Sequence, residues 1–149
     1  MNAAIIRPYQ PEDHSAVMHL LQLLTPRYFA PKEIADFEHY LNKEREQYFV
    51  LVIADQIVGC GGINFENEYT LGKISWDLIH PNHHCKGYGR HLLEYRLHLL
   101  RNTSSVQKII VRTSQHAFRF YEKSGFTVKE IQPNYWAEGY DMYLMELIS

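Results

Sequence analysis

A glycine-spaced run, His84-Cys85-Lys86-Gly87-Tyr88-Gly89-Arg90, separates an apolar stretch ending at Pro81 from an amphipathic segment beginning near Gly89. It predicts a strand, a tight turn and a helix start in direct succession. The first backbone N–H groups of a helix have no internal acceptors, and the helix dipole favours negative charge there. Gly87 and Gly89 lack side chains, so a phosphate can come close to the backbone. The run therefore reads as an anion cradle.

The segments around the run fall into short alternating elements. Residues 3–7 read as a strand, and Asp13 as the N-cap of a helix ending at Leu24. Thr25-Pro26 breaks that helix, and a second is expected over residues 31–44, with Pro31 in its first turn. Residues 48–54 and 57–65 read as a hairpin turning at Asp55-Gln56. Gly59, Gly61 and Gly62 weaken its second strand and suggest a close backbone approach. Along residues 70–80, Ile74, Trp76 and Leu78 alternate with Lys73, Ser75 and Asp77, and Ile79 breaks the pattern as a β-bulge would.

Beyond the run, residues 89–101 form an amphipathic helix with Leu93, Leu97 and Leu100 on its stripe. Residues 108–113 read as a strand, Ser114 as the cap of a helix ending at Lys123, and Ser124-Gly125 as its stop. Residues 126–131 and 140–148 are two further strands, joined by the aromatic loop Asn134-Tyr135-Trp136. The order β-α-α-β-β-β-α-β-α-β-β implies an α/β chain with one mixed sheet and helices on both faces. A length of 149 residues suits one domain over 1–149.

Composition removes several function classes. Fifteen basic residues against 17 acidic ones leave no polybasic surface for nucleic acid or a membrane. No apolar run approaches the ~18 residues that span a bilayer. No basic stretch followed by an apolar one opens the chain, so a leader is not expected. Cys60 and Cys85 make no disulfide framework, and a cytoplasmic location is the simpler expectation.

Two nucleotide loops fail on spacing. Leu92 stands where a dinucleotide fingerprint needs its third glycine, and the Gly-Lys-Ser/Thr ending of an NTPase loop is missing. The pattern Pro81…His84-x-x-Gly87-x-Gly89-Arg90-x-Leu92-Leu93 instead resembles the acetyl-CoA site of the GNAT superfamily, the acetyl-CoA-dependent N-acetyltransferases. Downstream, Ala117-Phe118-Arg119-Phe120-Tyr121-Glu122-Lys123-Ser124-Gly125-Phe126 is similar to a second segment of that family. His84 departs from the family's Arg or Gln, and Ser114 from its frequent Asn.

The resemblance implies a GNAT-like fold of α+β type: a single mixed, mostly antiparallel sheet flanked by helices. It implies that Cys85, Lys86, Gly87, Tyr88, Gly89 and Arg90 hold the CoA diphosphate mainly through their backbone, with His84 and Ser114 beside them. Leu78 and Ile79 would run along the pantetheine arm. Tyr121 takes the place of the family's general acid, giving a proton to the departing thiolate. Acetyl transfer also requires the amine to lose a proton. Asp77 is the first candidate base and Glu66 the alternative, with water as a third route.

The implied activity is transfer of an acetyl group from acetyl-CoA to a primary amine of a small molecule or a protein, by direct attack in a ternary complex. A non-catalytic acyl-CoA sensor is the alternative. The first two helices and the 134–140 loop would form the acceptor side, with Tyr28, Phe29, Phe37, Tyr40, Tyr135, Trp136 and Tyr140 as aromatic walls. Glu138 and Asp141 are placed to attract a cationic amine. His80, His83, His84 and Cys85 match no common zinc spacing, so no metal is expected. A homodimer is left open.

Overall fold

The computed structural model describes residues 3–148. Strand β1 (Ile5–Pro8) leads through a 3-10 turn into helix α1 (His14–Leu23) and then helix α2 (Glu33–His39), which a π-helical turn (Tyr40–Glu44) prolongs. Strands β2 (Gln47–Ile53), β3 (Gln56–Glu66) and β4 (Leu71–Ile79) follow. Helix α3 (Tyr88–Arg101), strand β5 (Lys108–Thr113), helix α4 (Phe118–Glu122) and the hairpin of β6 (Phe126–Ala137) and β7 (Tyr140–Leu147) complete the order. The strands form one sheet, β1-β2-β3-β4-β5-β7-β6. Every neighbouring pair is antiparallel except β4 and β5, which the α3 crossover makes parallel. This is the mixed, mostly antiparallel sheet that the family resemblance implied.

Alternation along the strands builds two cores. In β2, Phe49 and Leu51 face α3, where they join Leu92, Leu93, Leu97 and Tyr121. Tyr48 and Val50 face the opposite layer, with Val17, Leu21 and Phe37 of α1 and α2. Helices thus cover both faces. Among the described residues, no helix is long and apolar enough to cross a membrane.

Several local expectations shift. Asp13 precedes α1, but its carboxylate accepts from the Gln10 N–H at 2.8 Å and from Arg7 instead of capping α1. The β2–β3 turn falls on Ala54 and Asp55, both left-handed (φ 50° and 64°), one residue earlier than expected and with the twist a two-residue hairpin needs. The aromatic segment Asn134-Tyr135-Trp136 belongs to β6, which turns only at Glu138 and Gly139. A left-handed Asn134 lets the strand continue past an irregularity, and its Oδ1 accepts from the Gly139 N–H at 2.7 Å.

The correction that matters most lies in β4. The bulge sits at Trp76 and Asp77, not at Ile79: Cys60 pairs with Leu78 and Gly62 with Ser75, so Gly61 faces two residues. Trp76 takes φ 50° there. The faces therefore switch in mid-strand. Ile74 packs in the α3 core, while Trp76 and Leu78 pack in the α1–α2 core.

Candidate active site

The β4–β5 pairing runs only from Leu71–Lys108 to Ile74–Val111. Beyond it, residues 75–79 of β4 have no partner on that side, and a cavity of about 910 Å³ opens along the split. The start of α3 contributes Gly87, Gly89 and Arg90 to its lining, β4 contributes Trp76 and Asp77, α4 contributes Tyr121, and the segment from α1 into α2 contributes Phe29 and Glu33.

The cradle end follows from its glycines. Gly87 is the N-cap of α3 with φ 85°, and a Cβ built on it meets nothing within 4 Å. The ladder of α3 starts with the His91 N–H bonded to the Gly87 carbonyl at 3.0 Å, so the N–H groups of residues 88–90 lie ahead of it. Cys85, also left-handed at φ 61°, bends the approach. Gly89 serves packing: a Cβ there would lie 3.2 Å from the Phe120 ring.

His84 binds the Ile79 carbonyl through Nε2 at 2.7 Å, which places the ring hydrogen on Nε2 because the carbonyl can only accept. It thereby ties the turn to the end of β4. His80 Nδ1 accepts from the Asn82 N–H at 3.0 Å. Ser114 lines the cavity, and its Oγ accepts from the His116 N–H at 3.2 Å. Ile79 and Cys85 also line it, whereas Lys86 and Tyr88 stand outside the lining and Leu78 is buried in the α1–α2 core.

At the centre, the bulge turns Asp77 toward α3. Its Oδ2 accepts a hydrogen bond from the Tyr121 hydroxyl, and its Oδ1 is paired with Arg96. Arg96 is 0% exposed, in the middle of the leucine stripe of α3. Its Nε donates to the Leu92 carbonyl and its Nη1 to the Gly62 carbonyl, each at 3.1 Å. Gly61 makes room for the pair: a Cβ there would collide with the Asp77 carboxylate and lie 2.7 Å from Arg96 Nη1. Burial, and then the Asp77 charge, raise the Tyr121 phenol well above its ordinary value of 10. Tyr121 therefore stays protonated at neutral pH.

Asp77 thus does not share a polar face with Lys73 and Ser75, as simple alternation implied. Glu66 lies outside the cavity, paired with Lys73 at 2.8 Å, and that bond holds its carboxyl below the ordinary value. Two groups were missed. Arg96 carries one recognisable signal, a cation at the spacing of Leu92, Leu93, Leu97 and Leu100. Glu33 is 4% exposed, lines the cavity, and is raised by burial above its ordinary 4.5. Nothing in its local sequence marks it.

Of the expected aromatic walls, Tyr28, Phe29, Tyr40 and Trp136 line the cavity. Phe37 is buried behind them, and Tyr135 is exposed. Tyr140 pins the α1–α2 loop by donating to the Pro26 carbonyl at 2.6 Å. Glu138 sits on the β6–β7 turn, and Asp141 Oδ1 accepts from the Asn134 N–H at 2.9 Å. Neither lines the cavity.

Comparison with known proteins places the chain in a family. A sequence model of the acetyltransferase (GNAT) family matches residues 15–126. Glucosamine 6-phosphate N-acetyltransferase 1 of Dictyostelium discoideum is 26% identical over 121 residues, covering 75% of this chain and 76% of that protein. The loading GNATL domain of CurA from Lyngbya majuscula has a TM-score of 0.82 at 16% identity, over 98% of both chains. Aminoglycoside 6'-N-acetyltransferase complexed with coenzyme A has a TM-score of 0.76 at 18% identity, over 95% of both chains. At these identities the two structures carry the fold alone.

Proposed function

Because the chain belongs to the acetyltransferase (GNAT) family, we propose that the β4–β5 cleft is where it moves an acetyl group from acetyl-CoA to an amine, with Tyr121 as the acid. The activity is that of an acetyl-CoA-dependent N-acetyltransferase. One observation carries the site assignment: the open cradle at Gly87 and the buried Tyr121 hydroxyl line the same cavity. The residues suit the cosubstrate. The free N–H groups at the start of α3 match a diphosphate. The unpaired edge of β4 offers backbone donors and acceptors to the pantetheine amides.

In this reading the neutral amine nitrogen bonds to the acetyl carbonyl carbon and the carbon–sulfur bond breaks. The departing thiolate takes the Tyr121 proton, and solvent restores it. A phenol of raised pKa can do this because the same apolar cavity raises the proton affinity of the thiolate. With its two oxygens taken by Arg96 and Tyr121, Asp77 is assigned to orient the hydroxyl, and the amine's proton passes to water. The chain is read as one domain over 1–149, working in a reducing cytoplasm in keeping with the free thiols of Cys60 and Cys85. Thiol release from acetyl-CoA across a panel of amines, glucosamine 6-phosphate included, tests the activity. No release with any amine, despite a melting temperature raised by CoA, would leave only a sensor.

A further inference from the structure

Glu33 is the buried carboxylate in the cavity wall for which the enzyme chemistry above has no use. A carboxylate taken out of water needs a counter-charge or a full set of donors. Asp77 has Arg96, and Glu66 has Lys73. Glu33 forms no ion pair among the described residues, and its Oε2 accepts only the Ala30 N–H, at 2.8 Å.

Aromatic residues share the cavity wall with it. Phe37 lies one helical turn after Glu33, on the same face of α2, and its ring centroid is 4.9 Å from that of Trp76. Phe29 stacks on Trp76 at 6.2 Å with an interplanar angle of 19°. Phe29, Trp76 and Tyr40 line the cavity with Glu33. Aromatic faces attract cations, and the attraction grows when water is excluded. The four Lys and Arg residues that line the same cavity are differently placed: Lys73 is already neutralised by Glu66, and Arg90, Arg112 and Lys123 are exposed.

We infer that Glu33, with the rings of Phe29 and Trp76, is the binding site for the positive charge of the acceptor. The acceptor is then a cationic amine with an apolar body and no acidic group beside its ammonium. This rests on the acetyltransferase reading for the identity of the ligand as acceptor, and on the cavity alone for its charge. Glu33 is a recognition residue here, and no proton transfer is assigned to it.

The test is calorimetric binding to the full chain saturated with CoA. The probes are 1,4-diaminobutane, 2-phenylethylamine, its neutral isostere 2-phenylethanol, and glucosamine 6-phosphate. At least one cationic amine is expected to bind, and Glu33→Gln to weaken it roughly tenfold or more while CoA affinity holds. In the wild type, 2-phenylethanol is expected to bind about tenfold or more below 2-phenylethylamine, a comparison that needs no variant to fold. Equal binding by wild type and Glu33→Gln, equal binding of amine and alcohol, no amine binding, or preference for glucosamine 6-phosphate would overturn the inference. Amine binding that depends on Glu33, without any thiol release from acetyl-CoA, would uphold it and sink the acetyltransferase reading.

Discussion

The Tyr121 hydroxyl donates its hydrogen bond to Asp77, a residue 44 positions earlier in the chain, whose other oxygen is bound to Arg96. The phenol, the carboxylate that accepts from it and the cation that neutralises that carboxylate come from α4, β4 and α3. The three helix and strand segments meet at the point where β4 and β5 part.

Tyr121→Phe keeps the ring in its packing with Phe120 and Phe126 and removes only the hydroxyl. The variant is expected to melt near the wild-type temperature and to retain the shift produced by CoA. Its kcat for thiol release should fall by about 10²-fold or more. A kcat within about twofold of wild type would remove Tyr121 as the acid.

Arg96→Met strands the Asp77 charge beside a buried phenol. Breaking a buried pair on one side costs about 3–5 kcal/mol, measurable as a lowered urea midpoint. Adding Asp77→Leu should recover most of that loss, because both charges then leave together. The double variant should still turn over poorly, since nothing holds the Tyr121 hydroxyl.

The two glycines of the cradle are expected to separate. Gly87→Ala forces a left-handed Cβ, at a stability cost of about 1–2 kcal/mol, and places that Cβ where nothing now stands within 4 Å. CoA should bind it about tenfold more weakly by calorimetry. Gly89→Ala presses on Phe120 at 3.2 Å, so its chief effect should be a lowered melting temperature.

Glu33 ties stability to pH in a direction opposite to a salt-bridged acid. Its folded pKa lies above the ordinary 4.5, so the folded state binds the proton more tightly than the unfolded one. Stability from this group therefore falls as pH rises from 4.5 through the folded value, and the penalty is complete above it. Glu33→Gln removes the penalty. In melts run across pH, the variant should be more stable than wild type at pH 7, and the difference should shrink to nothing at or below about pH 4.5. A difference independent of pH would show that the carboxylate is not penalised by burial.

Much of the architecture was legible because its signals are local. Periodicity in residues 89–101 announces α3, and Gly87 announces a backbone that only glycine adopts cheaply. The glycines of β3 announced a close approach but not of what. Gly61 yields to Asp77 and Arg96, and Gly62 to Tyr48 and Tyr40, partners supplied by other elements. Glu66 stood as an alternative to Asp77 because a carboxylate's neighbours are invisible until strands pair.

By itself the sequence determined the element order, the mixed sheet, the glycine turn that opens α3 at Gly87 and the helix that carries Tyr121. Each is written in contiguous residues whose backbone preference or spacing acts over a turn or two. Only the tertiary structure decided which face Asp77 occupies, that Arg96 is its partner, and that Glu33 is a buried carboxylate in the cavity wall with no ion pair among the described residues. The physical reason is strand register. One extra residue opposite Gly61 reverses every side chain beyond it, and that slip is fixed by pairing between strands rather than by anything within β4.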